Sequence, residues 1–231
     1  MSLLFDPQPV FTVPVVGEDT EYPVCRIFCV GRNYAAHAAE MGSEVDREAP
    51  WYFTKSVANA VRSGARVPFP QGTENYHHEM ELAVYLGAEA FRVTVDEAEG
   101  VVLGYSCALD MTRRDRQQDG KDHRRPWDLG KDVEHGTVLA PITRASAYAV
   151  APEQRIHLEV NGDTRQDATL CELVWSVAEV ISHLSHYYRL GAGDVILTGT
   201  PAGVGPVVAG DMITGGIDGL APISLSLGEP E

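Results

Sequence analysis

Short apolar segments that end at Gly or Asp are the feature that most limits how this chain can fold. Among them are CRIFCVG, ELAVYLG, GVVLGYSCALD and DVILTGTPAGVG. Apolar, β-branched runs bounded by such residues are typical of strands. The segment GDMITGGIDGLAPISLSL predicts two more short strands. A strand-dominated chain is therefore expected.

A β-hairpin is predicted within IHLEVNGDTRQDATL. Ile156, Leu158 and Val160 alternate with polar neighbours, as in a strand with one buried face. The Asn161-Gly162 pair that follows is the strongest short hairpin signal in the chain.

Helices are predicted in three places. NYAAHAAEM follows the strand that ends at Gly31, and Asn33 is a possible N-cap. The polar stretch from Arg113 to Gly136 predicts a long loop or short helices. An amphipathic helix that stops near Gly191 is predicted from apolar residues at gaps of three and four, namely Val174, Val177, Ile181, Leu184 and Tyr188.

Regular alternation of strand and helix is missing, which favours a mainly β (α+β) barrel or roll over a doubly wound sheet. The 231 residues, 44% of them hydrophobic, are enough for one full-sized core. Residues 1–24 carry several prolines and few periodic signals, so we expect an extended N-terminal arm there. Residues 25–231 would then form the main domain.

The formal net charge of −15 argues against nucleic acid or an anionic membrane as a partner, because a polyanion would be repelled. Positive charge is nevertheless concentrated in one segment: seven of the 18 Lys and Arg lie between Arg113 and Lys131. We call this segment the positive island. It leaves a small anionic substrate possible.

The N-terminus has neither a basic start nor a long apolar run, so neither a signal peptide nor a membrane span is expected. The four cysteines lack zinc-like spacing and suggest reduced, mostly buried thiols. For the two cysteines of CRIFC, Cys25 and Cys29, the favoured interpretation is that both are small core residues. A cytoplasmic protein is the expectation.

Three carboxylates form a candidate metal site. Glu79 and Glu81 would point to the same face of a strand, where two carboxylates repel unless a cation lies between them. Asp110 ends another apolar strand and could join them. Oxygen ligands favour Mg²⁺, Mn²⁺ or Ca²⁺ over zinc. The alternatives are an exposed strand face with solvated glutamates and a turn or capping role for Asp110.

His37 and Glu40 lie three residues apart on the first predicted helix and share a face. A carboxylate beside an imidazole orients the ring and raises its basicity, as a general base for water requires. An ordinary exposed helix contact is the alternative interpretation.

Six ordered motifs give the chain a recognisable resemblance. They are CVGRNYAAHAAEMG, YFTKS, HHEMELAVYLG, LDMTRRDRQ, PWDLGK and DVILTGTPAGVGP. In order and spacing they resemble the fumarylacetoacetate hydrolase family over roughly residues 24–225. The resemblance implies a mixed, rolled β-sheet partly closed into a barrel, with a few helices, in a homodimer.

The resemblance also implies roles for individual residues. Glu79, Glu81 and Asp110 match metal ligands, in agreement with the reasoning above. The remaining matches are His37 and Glu40 as a catalytic dyad on a lid helix, Lys131 as a catalytic pocket lysine, Arg114 and Gln117 as substrate-binding residues, and Thr200 as a contact of the substrate carboxylate. Arg32 is an equally open choice for binding the distal end of the substrate.

Within the family, the compact length, the HHE motif and the TRRD…PWD run are most similar to the members that cleave fumarylpyruvate in gentisate breakdown. The implied activity is metal-dependent hydrolysis of a carbon–carbon bond in a β-diketo acid, in aromatic catabolism. Acylpyruvate hydrolysis or oxaloacetate decarboxylation on the same site is an alternative. A catalytically silent metal-binding or scaffold protein is a more remote one.

Two positions depart from the family pattern. Glu134 replaces a shorter acid after the pocket lysine, and Ser56 stands where proline is frequent. Neither is a proposed ligand, but both leave the choice of substrate open.

Overall fold

A computed structural model describes residues 3–42 and 47–231 of the protein. Short strands predominate in these residues, and the helices are few and short. The strands are β1 Thr12–Pro14, β2 Glu21–Pro23, β3 Arg26–Gly31, β4 Trp51–Lys55, β5 Ala60–Arg62, β6 Ala65–Pro68, β7 Tyr76–His78, β8 Met80–Leu86, β9 Val102–Asp110, β10 Thr112–Arg113, β11 Thr137–Leu139, β12 Thr143–Arg144, β13 Arg155–Val160, β14 Asp163–Thr169, β15 Asp194–Leu197, β16 Gly205–Val207, β17 Met212–Ile217 and β18 Ile223–Gly228. The helices are α1 Ala35–Glu40, α2 Val95–Ala98, α3 Arg114–Asp122, α4 Asp128–Lys131 and α5 Val177–Leu184, with 3₁₀ turns at Val57–Asn59, Glu99–Val101 and Leu170–Glu172.

The central sheet is mixed and follows the order β4-β3-β15-β8-β9-β11-β5, with β12 also paired to β9. Strand β15 runs parallel to β3, and β11 runs parallel to β5, whereas the other pairs are antiparallel. Every residue of β8 is buried, because both faces of the sheet are covered. A strand with two buried faces has a continuous apolar sequence, as ELAVYLG does.

A second sheet follows the order β14-β13-β17-β18-β6 and covers one face of the central sheet. Its β13–β14 hairpin turns at Asn161 and Gly162, whose φ angles of 54° and 85° are those of a two-residue hairpin turn. Ile156, Leu158 and Val160 of β13 are buried against the central sheet, as the alternation predicted. The curled half-barrel sheet with few helices confirms the expected mainly β fold.

The N-terminal segment differs from the expected extended arm. Residues 12–23 form the antiparallel β1–β2 hairpin, and Val13 and Tyr22 are buried in the apolar cluster on the other face of the central sheet. Proline is tolerated at the ends of β1 and β2 because each strand has an edge at which no backbone N–H is needed for a ladder hydrogen bond. Where a domain boundary lies stays a prediction.

Asn33 does not cap helix α1, so the expected N-cap is wrong. The cap position is Tyr34, and it makes no side-chain capping bond. Asn33 is fully buried, its Nδ2 donates to the carbonyl oxygens of Trp175 and Thr198, and its Oδ1 accepts from Trp175 N–H at 2.7 Å. This amide fastens the start of α1 to the segments before α5 and after β15.

The amphipathic helix is shorter than predicted. It begins after Ser176, whose Oγ accepts from Glu179 N–H while the Glu179 carboxylate accepts from Ser176 N–H, a capping box. It ends at Leu184, and residues 185–187 continue as turns. Val174 lies before this cap and is therefore part of the preceding segment, not of the helix.

The cysteines are less buried than expected. All four are free thiols, but only Cys29 and Cys107 are buried, whereas Cys25 and Cys171 are exposed. Cys25 precedes β3 and lies outside the core, so the interpretation of CRIFC as two core residues is wrong for Cys25.

Membrane spanning is not indicated by the helices. None of the helices in the described parts of the chain has the length and apolar character needed to cross a bilayer.

Replacing Asn33 with alanine should lower the free energy of unfolding by about 3 kcal/mol, since three buried hydrogen bonds at roughly 1 kcal/mol each are lost. Urea denaturation followed by circular dichroism measures the change. Gln118→Ala, which removes an exposed amide from α3, serves as the control and should change stability by less than about 0.5 kcal/mol. Equal midpoints for Asn33→Ala and the wild type would contradict the anchoring role.

Candidate active site

Three acidic side chains converge where β8 begins and β9 ends. Glu79 occupies the single residue between β7 and β8, Glu81 is the second residue of β8, and Asp110 is the last residue of β9. The antiparallel register of β8 and β9 brings these ends together, and Asp110 N–H donates to Glu79 O at 2.9 Å. The three carboxylates have oxygens within 4.8 Å of one another, and each side chain is buried. The convergence expected from the sequence is present.

Lys131 compensates two of these carboxylates. Its Nζ donates to Glu79 Oε2 and Asp110 Oδ2, both at 2.7 Å, and to Thr112 Oγ1 at 2.9 Å. Burial alone would lower the pKa of the Lys131 ammonium, but the neighbouring Asp110 and Glu79 carboxylates raise it above its ordinary value. Lys131 is therefore a buried, charged group.

Arg114 engages Glu79 from the other side. Its guanidinium donates to Glu79 Oε1 and, at 2.7 Å, to Gln117 Oε1. Burial would raise the pKa of Glu79, but Lys131 and Arg114 hold it below its ordinary value. His77 adds a weak contact, since its Nδ1 lies 3.4 Å from Arg114 Nε.

Lys55 is a third buried cation at the site. Its Nζ donates to Asp110 Oδ1 at 2.6 Å and to the carbonyl oxygens of Met111 and Gly136. Sequence reasoning missed this role. The sequence did contain a signal for it, since Lys55 ends the aromatic strand segment WYFTK. A lysine buried at the end of such a strand needs an anionic partner.

Glu81 is the carboxylate without a cation of its own. Its Oε2 accepts from Gly199 N–H at 2.7 Å. Burial, and then the charges of Asp110 and Glu79, raise the pKa of the Glu81 carboxyl well above its ordinary value. Among the described residues no cation contacts Glu81 directly, which fits a metal cation held between the three carboxylates.

Taken together, Glu79, Glu81 and Asp110 offer only oxygen ligands, which suit a hard divalent ion. When all three carboxylates are ionised, as metal ligation requires, their charges are balanced by Lys55, Lys131 and Arg114. A bound divalent ion would therefore leave the centre with a net positive charge and an attraction for anions.

The carboxylates line a cavity at this end of the central sheet. Nine of the ten site residues predicted from the sequence line it, and Glu40 is the exception. The full lining is Val30, Gly31, Arg32, His37, Met41, Phe53, Glu79, Glu81, Asp110, Arg114, Gln117, Lys121, Trp127, Lys131 and Thr200.

Helix α1 carries His37 into this cavity. His37 Nδ1 lies 3.5 Å from Glu40 Oε2, close enough for electrostatic contact but longer than a hydrogen bond should be. Burial lowers the pKa of His37 below its ordinary value of 6.5, so the imidazole is neutral at pH 7. The Glu40 carboxylate also accepts from Gly203 N–H at 3.2 Å, which ties the end of α1 to the loop before β16.

Thr200 is positioned by a residue that the sequence did not single out. Gln166 of β14 is fully buried, and its Nε2 donates to Thr200 Oγ1 and to Pro201 O, each at 2.8 Å. Its Oε1 accepts from Met80 N–H at 2.9 Å. One amide therefore joins the hairpin, the threonine loop and the start of β8.

The two departures from the family pattern lie outside the cavity lining. Glu134 is exposed, and Ser56 N–H donates to Asp132 Oδ1 at 2.9 Å. Lys121 and Trp127 do line the cavity although the sequence analysis did not select them. Their location within the positive island was the sequence feature that could have identified them.

Comparison with known proteins identifies relatives of similar length. Residues 26–226 match the family model for the fumarylacetoacetate (FAA) hydrolase C-terminal region. A fumarylpyruvate hydrolase from a Ralstonia species is 49% identical over 193 residues, which cover 83% of this chain and 100% of the relative. A mitochondrial oxaloacetate tautomerase from Arabidopsis thaliana is 38% identical over 202 residues, which cover 87% of this chain and 90% of the relative.

A solved structure shares the fold over the whole chain. The crystal structure of fumarylpyruvate hydrolase from Pseudomonas aeruginosa in complex with Mn²⁺ and pyruvate matches with a TM-score of 0.94 at 39% identity. The match covers 99% of this chain and 100% of that one.

Replacing Lys55 with methionine should destabilise the metal-free protein by about 3–5 kcal/mol, because Asp110 would lose a buried partner. Urea unfolding in the presence of a chelator measures the effect. Arg189→Met is the matched control: it removes an exposed ion pair with Glu89 and should unfold close to the wild type. If both variants unfold alike, Asp110 does not depend on Lys55.

Proposed function

The chain belongs to the fumarylacetoacetate hydrolase family, and from this premise we propose that it is a divalent-metal-dependent hydrolase that cleaves fumarylpyruvate to fumarate and pyruvate. The observation that carries the proposal is the buried cluster of Glu79, Glu81 and Asp110 in a cavity that also holds His37 and Lys131. A silent scaffold protein would have no chemical need for this combination.

Glu79, Glu81 and Asp110 would hold the metal. A divalent ion there would supply Lewis-acid stabilisation of negative charge on the 2-oxo acid end of the substrate. The three carboxylates and the three buried cations sum to zero formal charge, so the loaded site would carry two positive charges. This balance favours a dianionic substrate.

His37 is the proposed general base. In its neutral form it would take a proton from water while the water oxygen adds to the carbonyl carbon next to the fumaryl double bond. The neighbouring Glu40 carboxylate would orient the ring and stabilise the imidazolium.

Bond cleavage follows from this addition. The carbon–carbon bond to the pyruvyl CH₂ breaks, and its electron pair remains with the departing pyruvate as an enolate. Return of the proton to that carbon completes the reaction, which adds one water in total and gives fumarate and pyruvate. Lys131, a buried ammonium, would stabilise the negative charge that develops on oxygen.

Arg114, Gln117 and Thr200 would position the 2-oxo acid. Arg114 and Gln117 are joined by a hydrogen bond and lie in the cavity wall, while Gln166 holds the Thr200 hydroxyl in place. Groups held by their own partners need little reorganisation when the substrate binds.

Finer features of the proposal come from the family resemblance. We propose Mg²⁺ or Mn²⁺ as the metal, a cytoplasmic homodimer as the assembly, and gentisate breakdown as the process. The Mn²⁺ bound in the crystal structure of the Pseudomonas aeruginosa enzyme supports a divalent ion of this kind.

A second candidate activity is keto–enol interconversion of oxaloacetate, supported by the relatives named oxaloacetate tautomerase. That reaction needs a proton shuttle and charge stabilisation but no added water, so the same groups could serve it. Parallel assays of fumarylpyruvate, acetylpyruvate and oxaloacetate distinguish the candidates. The highest kcat/KM is expected for fumarylpyruvate.

Chelation should abolish fumarylpyruvate cleavage, and Mn²⁺ or Mg²⁺ should restore it, because the three carboxylates need a cation to act on the substrate. Glu81→Gln should weaken metal binding at least about tenfold, since one charged ligand is lost. Calorimetry and a coupled pyruvate assay measure the two effects. Glu134→Gln, at an exposed carboxylate, is the matched control. Full turnover by protein shown by elemental analysis to be metal-free would refute the proposal.

His37→Ala should lower kcat about 100-fold or more while the metal still binds. His186→Ala, at an exposed histidine, is the control. Because the folded-state pKa of His37 is depressed, the neutral base persists at pH 7 and the wild-type acid limb of kcat/KM should lie below pH 6.5. If His37→Ala turns over as fast as the wild type in rapid-quench experiments, His37 is a structural residue and not the general base.

A further inference from the structure

Two cations in the cavity wall, Arg32 and Lys121, have no anionic partner among the described residues. Arg32 is exposed and Lys121 is half-buried, and within residues 3–42 and 47–231 neither side chain forms an ion pair or a hydrogen bond. The other cations of the cavity, Arg114 and Lys131, are held by carboxylates. Arg32 and Lys121 therefore remain available to an anion that enters.

The ring of Trp127 contacts both of these cations and holds them in position. Arg32 Cζ lies 6.0 Å and Lys121 Nζ 5.4 Å from the ring centroid of Trp127. Trp127 directly precedes α4, the helix that ends with Lys131, so the ring is tied to the catalytic centre. A cation held on an aromatic face keeps its position and can still bind an anion.

The charges converge on the outer part of the cavity. Burial, and then the positive charges of Arg114, Arg32 and Lys131, lower the pKa of Lys121. An anion at this place would relieve that repulsion. Lys121 also lies in the last turn of α3, where the helix dipole favours a cation, but the dipole does not explain why the side chain stacks on Trp127 and lines the cavity.

Burial separates the two charged regions. The carboxylates Glu79, Glu81 and Asp110 are almost inaccessible to solvent, whereas Arg32 and Lys121 are accessible. A 2-oxo acid bound at the carboxylates would therefore extend its other end towards the two cations. Arg114 is less suited to that end because its guanidinium already engages Glu79 and Gln117.

As a refinement that rests on the proposed function, we propose that Arg32 and Lys121, held against Trp127, bind the distal carboxylate of the substrate and select 2-oxo acids that carry a second carboxylate. Lys121 is then a specificity residue, and the positive island supplies a defined subsite.

The test uses two stable ligands and the Mn²⁺-loaded protein. 2-Oxoheptanedioate has the seven-carbon chain of fumarylpyruvate but no cleavable β-diketone, and 2-oxoheptanoate lacks only its distal carboxylate. Calorimetric titration should give the dianion at least about tenfold tighter binding, the usual worth of one charge-assisted hydrogen bond. Equal affinities, or no binding of either ligand, would overturn the proposal.

Charge-removing variants identify the residues. In Lys121→Met and in Arg32→Met the preference for the dianion should fall at least about fivefold, with circular dichroism and thermal midpoints as folding controls. Arg116→Met removes the same charge from the same helix as Lys121 but lies outside the cavity lining, so its preference should match the wild type. A full preference in both cavity variants, or an equal loss in Arg116→Met, would contradict the assignment.

The two proposals can fail separately. If the wild type prefers the dianion but does not cleave fumarylpyruvate, the hydrolase proposal fails and the carboxylate subsite stands. If it cleaves fumarylpyruvate but both cavity variants keep the preference for the dianion, the subsite fails and the hydrolase proposal stands.

Discussion

The ion cluster at the start of β8 is the interaction on which the rest of the site depends. Removing Glu79, Glu81 and Asp110 from water is costly unless each carboxylate is compensated. Lys131 and Lys55 compensate through direct contacts, but they come from α4 and β4, which are far apart in sequence. The cluster can therefore form only after several elements have packed around the β8–β9 pair.

The uneven compensation within this cluster links stability to function. Asp110 and Glu79 are each paired with two cations, whereas within the described parts of the chain Glu81 accepts only from a backbone N–H. A fully paired cluster would have no reason to bind a metal, and an unpaired one would oppose folding. Partial compensation permits the fold and leaves a defined place for a divalent ion.

Buried amides hold the loops that surround the cluster. Asn33 joins the start of α1 to the segments before α5 and after β15, and Gln166 joins the β13–β14 hairpin to the Thr200 loop. Such multiply bonded amides specify one arrangement, because a shift of any segment would leave buried polar groups unsatisfied. The cavity wall is thus positioned by polar contacts as well as by apolar packing.

The sequence by itself determined the strands, the hairpin at Asn161-Gly162 and the convergence of the acidic residues. Local patterns carry these features, since alternation, turn residues and strand ends are properties of a few neighbouring positions. Helical spacing pointed to His37 and Glu40, and the family resemblance selected the remaining site residues that line the cavity. Only the tertiary structure decided the roles of Lys55, Gln166 and Trp127 and corrected that of Asn33, because their partners lie far along the chain. A side chain that reaches a distant segment leaves no periodic signal of its own, and long-range packing alone selects its partner.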